Sequence, residues 1–341
     1  SITGLPATTT SPRTVYPLDL TVAGDVLIDE TSSINVTGLG FPETYSGPDF
    51  AYLPSYELAG CHAGTNSYSP SPECAYGDFR HARFPGSGGI NGSPTTGSGG
   101  GSLSLHTSNL LLDGALIASG KIADVAGVNS LAGAGGSIHL ELASLRGAGS
   151  IIAEAPEPTY HSSSGGRISI WADEWSEFSG SFDASRGAPA TSSIYGDDAG
   201  NGTLFIKSRS ENYGHLYVDD TVVSSQVPPG LTPLRSVGRH SILQIDTLGG
   251  NLYEVFVADE SWTPSDDKFG FGLTGLEVAF DSTDLTPQLY TILENSASSI
   301  TIASEHNLDA FMGAELIGVQ TLQTLTVTGG SKVDFGDDRV V

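Results

Sequence analysis

Pairs of carboxylates are the residues of this chain whose type and spacing could do chemistry. Adjacent aspartates occur four times, at positions 197–198, 219–220, 266–267 and 337–338. Enzymes that cut acidic glycans use paired carboxylates at a defined separation, or a base beside calcium-binding acids. Neighbouring side chains on a strand point to opposite faces, so an adjacent pair converges on a substrate only in a turn. We predict solvated turns at these four positions.

The histidines are scattered along the sequence, and none of them is assigned as a catalytic residue. His139 lies three residues after its glycine and Arg167 one residue after its own, so the two form no aligned row. The sequence has no serine-hydrolase elbow, no phosphate-binding glycine loop and no His-Glu-x-x-His zinc motif. We expect no enzyme, no cofactor and no metal site. The acidic composition leaves calcium as a weak alternative, although no loop has the aspartate spacing of a calcium-binding hand.

Fourteen Lys and Arg against 39 Asp and Glu give a formal net charge of -25. Binding nucleic acid or an anionic membrane surface needs a positive field, so both are excluded as partners. The same charge repels polyuronates unless the fold builds a basic groove. No apolar run is long enough for membrane insertion. Because the chain opens at Ser1 and its single methionine is Met312, we expect a larger parent protein.

The two cysteines, Cys61 and Cys74, lie in a segment rich in glycine, serine and proline. We predict that they form a disulfide, which indicates an oxidising compartment. His62 and His81 leave a zinc site open, although the segment lacks the Cys-x-x-Cys pair that zinc sites use. Glycosylation tripeptides begin at three asparagines: Asn35, Asn91 and Asn201.

A repeated phrase dominates residues 99–208. A glycine followed by strict apolar alternation occurs at Gly101, Gly136, Gly166 and Gly202, with spacings of 35, 30 and 36 residues. The alternation predicts strands with one buried face, and a second short phrase after each predicts further strands. A unit of this size cannot bury its apolar face alone, so neighbouring units must stack. We predict a coil of parallel strands, a parallel β-helix.

The same fold is expected to run from end to end. Residues 1–17 form a linker or cap, and residues 18–341 form a single solenoid with a weak boundary near residue 210. Residues 322–335 echo the first coil, since Leu325-Thr-Val-Thr-Gly-Gly is similar to Leu20-Thr-Val-Ala-Gly. Residues 40–100 break the rhythm and predict a long lateral excursion, pinned by the disulfide. The glycines at 99–101 are assigned to tight turns that need a positive φ.

Tyrosines are frequent in the excursion, and tyrosine offers a large contact area at a low entropic cost. Tyr68 and Tyr76 are therefore candidate contacts with a glycan or another surface. The alternative is that these rings cover the flank of the coil.

Glycine-rich phrases recur in a fixed order over residues 18–220, among them Gly60-Cys-His-Ala-Gly64, Gly99-Gly-Gly-Ser-Leu-Ser-Leu105 and Tyr213-Gly-His-Leu-Tyr-Val-Asp219. In this order they resemble the glycine-rich modules of very large secreted or surface-anchored proteins of the pectin-lyase-like class. The resemblance implies a right-handed parallel β-helix in an adhesive or structural protein, and it carries over no catalytic residue. The family pattern prefers a glycine where Ala63 stands and lacks the cysteine pair, which indicates local adaptation.

These observations favour a non-catalytic extracellular or cell-surface module of a larger structural or adhesive protein. Open strand edges template association, so end-to-end stacking into a fibre is expected, with the N-terminal segment and residues 334–341 as joints. The expected partners are copies of the module, neighbouring modules and glycans. Two alternatives stay open: a polysaccharide lyase or glycoside hydrolase, and a glycan-binding module that uses the tyrosine-rich loop.

Overall fold

The computed structural model describes residues 1–8, 14–43, 45–46, 51–52, 60–66, 74–89, 97–122, 131–157, 161–187, 199–223, 227–258, 262–265, 272–280 and 288–341. These residues form an all-β fold, as predicted, with a short 3-10 turn at Asp309–Phe311. The chain divides into two compact units. The parallel unit comprises Ser1–Leu234 and Gln323–Asp334, and the barrel unit comprises Arg235–Leu322 and Phe335–Val341.

The strands are numbered in chain order through both units. The parallel unit contains β1 (Ile2–Thr3), β2 (Leu18–Thr21), β3 (Asp25–Ile28), β4 (Ser33–Asn35), β5 (Tyr45–Ser46), β6 (Ala51–Tyr52), β7 (Ser102–His106), β8 (Asn109–Leu112), β9 (Ala115–Ile117), β10 (Ser137–Arg146), β11 (Ser150–Ile152), β12 (Arg167–Glu174), β13 (Ser181–Asp183), β14 (Thr203–Lys207), β15 (His215–Asp219), β16 (Leu231–Pro233), β23 (Thr324–Thr328) and β24 (Lys332–Asp334). The barrel unit contains β17 (Arg239–Gly249), β18 (Leu252–Val257), β19 (Glu277–Phe280), β20 (Tyr290–Asn295), β21 (Ser299–Ala303), β22 (Glu315–Gln320) and β25 (Arg339–Val340).

The repeated phrase forms successive strands of parallel sheets. In the first sheet, β2, β7, β10, β12 and β14 are neighbours in this order and run parallel. A second parallel sheet has the order β1-β4-β9-β11-β13. The strands β3 and β8 and the C-terminal part of β10 form a further parallel ladder. Residues at the same offset from the repeated glycine therefore lie side by side.

Inward-pointing side chains of these sheets build one apolar core. Within the first sheet, the residues four positions after each glycine form a buried row: Leu105, Leu140, Ile170 and Ile206. Full burial of one such side chain contributes about 1.5–3 kcal/mol, and the rows repeat from strand to strand. The strict alternation of the sequence thus places apolar side chains in this core and mainly polar ones on the opposite face.

The repeated glycines are required by close backbone contact, and their φ is not positive. An added Cβ at Gly136, Gly166 or Gly202 would overlap the backbone carbonyl of the preceding repeated glycine. The φ values of these residues, and of Gly99, lie outside the left-handed region. The prediction that the run at 99–101 needs a positive φ is therefore wrong. Glycine is needed at these positions because one layer of backbone approaches the next directly and leaves no room for a side chain.

The described part of residues 40–100 packs against the parallel unit, as predicted for the excursion. The predicted disulfide is present, with 5.8 Å between the Cα atoms of Cys61 and Cys74. The Ala63 N–H donates to the Gly165 carbonyl at 3.3 Å, which ties the excursion to a turn of the repeat. A disulfide indicates a non-reducing environment.

The prediction of a single solenoid to residue 341 is wrong for the barrel unit. Its described strands pair in the order β17-β18-β21-β20-β19-β22, each antiparallel to the next, and β22 pairs back with β17. They close a six-stranded antiparallel barrel. Gly249 and Gly250, both with positive φ, turn β17 back into β18. Because alternation with period 2 is common to parallel and antiparallel strands, it could not distinguish the two arrangements.

Parallel stacking ends close to the weak boundary near residue 210, since β14 and β15 are antiparallel. The division between the units comes later, after Leu234. The chain then contributes β23 to the parallel unit, where it pairs in parallel with β15 and accounts for the echo of the first coil. The strand β25 pairs with β22, so residues 335–341 of the predicted joint at 334–341 belong to the barrel unit.

Candidate functional site

One face of the first sheet carries three rows of side chains that point away from the core. Because the parallel strands pair in register, neighbours in a row are about 4.8 Å apart. The inner row is Ser102, Ser137, Arg167 and Thr203, the middle row is Ser104, His139, Ser169 and Phe205, and the outer row is His106, Glu141, Trp171 and Lys207. His139 and Arg167 belong to different rows, so the prediction that they are not aligned is confirmed.

The cover segment, residues 76–84 of the excursion, lies over the inner and middle rows. The Arg167 Nε donates to the Tyr76 carbonyl at 3.0 Å, and the Ser137 Oγ donates to the Phe84 carbonyl at 2.6 Å. The Trp171 Nε1 donates to a third backbone carbonyl, of residue 80, at 2.9 Å. Sheet side chains thus satisfy the backbone of an irregular segment and fix it in place.

The middle and outer rows hold a serine, a histidine and a carboxylate in hydrogen-bonding contact. The His139 Nδ1 is 2.6 Å from the Ser169 Oγ, and the His139 Nε2 is 3.0 Å from a Glu141 carboxylate oxygen. Burial lowers the pKa of His139 to about 4, against the opposing hydrogen bond from Glu141. The neutral ring therefore donates from Nε2 to Glu141 and accepts the Ser169 hydroxyl proton at Nδ1. This is the arrangement that activates a serine nucleophile.

Access decides what this arrangement can do. Ser169 and His139 are fully buried beneath the cover segment, and the Ala82 N–H donates to the Ser169 Oγ at 3.0 Å. A substrate carbonyl would have to displace Ala82 to reach the hydroxyl. In this geometry the three residues clamp the cover segment to the sheet.

The outer row lies where the cover segment ends, and its side chains are partly exposed. Glu141 stands between two imidazoles, since its second oxygen is 3.2 Å from the His106 Nδ1. Partial burial raises the pKa of Glu141, but the hydrogen bonds from His139 and His106 outweigh it and hold the pKa below its usual value. Next along the row, the Lys207 Nζ lies 5.0 Å from the centroid of the Trp171 ring.

His62 is buried next to the inner row. Its Nδ1 is 2.7 Å from the Gly135 carbonyl, and its Nε2 has no hydrogen-bond partner among the described residues. Burial, followed by the charge of Arg167, lowers the pKa of His62 to about 3, so the ring is neutral at pH 7. The disulfide consumes both thiols, which removes the zinc site that His62 and His81 left open.

The predicted contact and modification residues fall in different surroundings. The Tyr76 hydroxyl donates to the Pro85 carbonyl at 2.7 Å, and burial raises the Tyr76 pKa above its usual value, so this side chain holds the excursion together. Asn35 is half-buried, whereas Asn201 is buried and its amide donates to Ser331, contacts that a glycan on the folded chain would break. Tyr68 and Asn91 lie outside the described residues.

Two of the four aspartate pairs fall within the described residues. Asp219 accepts the Thr221 N–H at 2.9 Å in an exposed turn, as predicted. The prediction of a solvated turn is wrong for Asp220, which is buried and holds the Arg186 guanidinium through bonds of 2.8 and 3.0 Å. It is also wrong for Asp338, which accepts the backbone N–H groups of residues 237 and 238. The pairs at 197–198 and 266–267 lie outside the described residues.

A different carboxylate pair forms between neighbouring strands. Asp183 on β13 is in register with Ile152 on β11, and Glu154 lies two residues beyond Ile152. A side-chain hydrogen bond to Asp183 favours the protonated form of Glu154. Burial, then the charge of Asp183, raises the pKa of Glu154 to about 7. Hydrogen-bonded carboxyl groups lie closer than the separation of about 5–5.5 Å in retaining glycosidases.

The substitution Glu154→Gln is expected to stabilise the parallel unit by about 1–2 kcal/mol at about pH 8, with little effect at about pH 4. The folded-state pKa of Glu154, about 7, lies above its ordinary 4.5. In wild type, the protonated Glu154 contributes its full stability below pH 4.5, and this contribution is lost as the pH rises through 7 and the buried group ionises. Urea unfolding across this range measures the difference. Glu174→Gln, an exposed control with the same charge change, is expected to show no pH-dependent gain, and an equal gain in both variants would contradict the assignment.

Among the residues that the structure describes, no group of three or more His, Cys, Asp or Glu side chains could hold a metal ion. No helix in the described part of the chain is long and apolar enough to cross a membrane.

Comparison with protein-family models, with curated proteins and with solved structures gave no match.

The outer row was missed in the sequence, although a signal for it was present. Its four members stand five residues after the repeated glycines at 101, 136, 166 and 202. Aligning the repeat on its glycines would have placed His106, Glu141, Trp171 and Lys207 in one row.

Proposed function

We propose that this chain is a non-catalytic module of an extracellular structural or adhesive protein, which associates end to end with copies of itself or with neighbouring modules. The observation that carries the proposal is the open edge of β23. Among the described strands β23 pairs with β15 alone, and its Leu325 and Val327 are 41% and 40% exposed. A strand with a free edge and exposed apolar side chains is a template for pairing with another chain.

The opposite end of the stack supports the same proposal. The strands β2 and β3 each have one described neighbour, β7 and β8 respectively. Leu18 and Leu20 of β2 are partly exposed although they align with the buried core rows of β7. A stacked layer would bury these side chains, as neighbouring repeats do in solenoids.

We also propose that the parallel unit is a right-handed parallel β-helix. Its support is that three parallel ladders follow one another in the same order along three successive coils, β2–β4, β7–β9 and β10–β11. Right-handedness follows from the general preference of parallel crossover connections. The disulfide supports an extracellular site, because such bonds persist in oxidising compartments.

The alternative of a polysaccharide-degrading enzyme has one observation in its favour, the pKa of Glu154, which burial and then the charge of Asp183 raise to about 7. The buried position of Ser169 and His139 weighs against a second catalytic group. A depolymerisation screen on acidic and neutral polysaccharides, with and without calcium, distinguishes the structural module from the enzyme. Product formation that Glu154→Gln abolishes would replace the structural proposal.

The double substitution Leu325→Lys and Val327→Lys is expected to abolish self-association, because lysines on an edge strand block strand addition. Sedimentation velocity over a range of protein concentrations measures it. Wild type is expected to form dimers and longer species, and the double variant is expected to stay monomeric. Leu243→Lys, at an exposed leucine of the barrel unit, is the control and is expected to associate like wild type. A wild type that stays monomeric at the highest concentration would overturn the proposal.

A further inference from the structure

We infer that the outer row, together with Arg83 of the cover segment, binds an anionic polysaccharide; this inference rests on the proposed adhesive role and names its ligand class. The row crosses four neighbouring strands, His106 to Lys207, along the stacking direction. Neighbouring strands are about 4.8 Å apart, close to the length of one pyranose unit in an extended glycan. A glycan laid along the row therefore meets about one side chain per sugar.

Positive charge on this chain is scarce, and several of its cations are paired with neighbouring acids. Three surface arginines lie within 3.2 Å of a carboxylate oxygen: Arg146 of Glu177, Arg209 of Asp173 and Arg239 of Glu315. In a chain with 39 acidic and 14 basic residues, pairing of this kind is the expected state of a cation. A cation that forms no ion pair is therefore informative.

Lys207 is such a cation. Its Nζ forms no ion pair with any described carboxylate, donates to the Asn212 carbonyl at 2.9 Å and lies over the Trp171 ring. The neighbouring carboxylate of Glu211 is already engaged by the Ser208 N–H at 2.9 Å and by His215 at 3.0 Å. Two of the three donor hydrogens of the ammonium group remain for a ligand.

Arg83 supplies a second available charge beside the row. Its side chain is 56% exposed, and its ion-pair contact with Glu141, at 3.9 Å, is long for a charge-assisted hydrogen bond. The Glu141 oxygens are occupied at shorter distances by His139 and His106. The guanidinium is thus free to take a carboxylate or sulfate in bidentate geometry.

The row favours an anionic glycan over a neutral one. Neutral sugars stack on an open aromatic face, but the Trp171 ring is already in contact with the His81 ring, stacked at 5.2 Å, and with the Lys207 ammonium. Recognition here is therefore through charge and hydrogen bonds. The general repulsion of an acidic chain toward polyuronates is offset locally because these two cations outnumber Glu141, the one carboxylate of the row.

The test measures binding of a uronic-acid hexamer and of its carboxyl-reduced neutral counterpart to the full chain by isothermal titration calorimetry. Wild type is expected to bind the uronate hexamer, to lose affinity with added salt, and to bind the neutral hexamer at least tenfold more weakly. The double variant Lys207→Gln with Arg83→Gln is expected to lose at least tenfold in uronate affinity. Arg146→Gln, which removes the same charge from a paired site in the same unit, is expected to bind like wild type.

Three results would overturn the inference: no uronate binding by wild type, equal binding by the double variant, or equal affinity for the neutral hexamer. Uronate binding that chelation of calcium abolishes and the double variant retains would also overturn it, because calcium would then bridge two acidic partners. The double variant is expected to associate normally in sedimentation. In wild type, uronate binding without self-association would count against the proposed assembly, and self-association without uronate binding would count against this inference.

Discussion

Gly136→Ala is expected to lower the free energy of unfolding of the parallel unit by about 3 kcal/mol, the upper end of the usual range for overpacking. A Cβ at this position would lie 2.6 Å from the Gly100 carbonyl carbon and would also overlap the Gly101 carbonyl. Both obstacles are backbone, and the Gly136 N–H is bonded to the Ala118 carbonyl at 2.7 Å, so no rotamer change can relieve the clash. The layers would have to separate, which breaks the ladder above and below.

Urea unfolding followed by tryptophan fluorescence measures this effect if Trp262 is replaced by Phe in every variant. Trp171 and Trp175 then report on the parallel unit alone, which matters because a chain of two units need not unfold in one step. Gly24→Ala is the matched control in the same unit. Nothing lies within 4 Å of its added Cβ and its φ is not left-handed, so the change is expected to be neutral or stabilising by about 0.4–1 kcal/mol. Equal destabilisation by both substitutions would show that loss of glycine, and not the clash, sets the cost.

Asp220→Asn is expected to destabilise the parallel unit by about 3–5 kcal/mol, because it removes the charge that Asp220 places against the buried Arg186 guanidinium. The Arg186 side chain is 1% exposed and the Asp220 side chain 6% exposed, and two short hydrogen bonds join them. Asparagine keeps the volume of aspartate, so packing changes little. Arg186 Nη2 also donates to the Val227 carbonyl at 3.2 Å, a bond that does not replace the lost charge.

The control for this prediction is Asp173→Asn, which removes the carboxylate of the exposed pair with Arg209, 3.2 Å away. Exposed pairs contribute less than about 1 kcal/mol, since water and salt screen both charges. The same fluorescence measurement compares the two variants. A loss for Asp220→Asn no larger than that for Asp173→Asn would mean that the buried pair is energetically neutral.

The candidate site was predictable in part. His139 and Glu141 are two residues apart on one strand, so period 2 alone places them on one face. The repeat also aligns the four residues of the outer row by their common offset from glycine. The cover segment could not be predicted, because its irregular backbone is fixed by side chains that are distant in the chain, such as Trp171 to residue 80. Burial of Ser169 beneath it, which closes the serine to substrate, follows from that contact.

The aspartate pairs also show that local sequence does not determine the surroundings of a side chain. Asp219 and Asp220 are adjacent and chemically identical, yet one caps an exposed turn and the other binds a buried arginine 34 residues earlier in the chain. Nothing in the local sequence distinguishes them, since the partner of Asp220 is set by how distant strands stack.

Local residue pattern was sufficient for the all-β class, the length of the repeat, the buried face of each strand and the pairing of the two cysteines, because each depends on alternation, on glycine spacing or on short separation along the chain. The direction in which a strand pairs was not encoded in that pattern. The strands after residue 208 alternate as those before it do, but β15 turns antiparallel to β14, residues 235–322 close into a barrel, and β23 returns to pair with β15. Pairing direction is decided by non-local contacts and by the turns that permit them. The end of parallel stacking, the buried ion pair and the covered face are therefore properties of the folded chain as a whole.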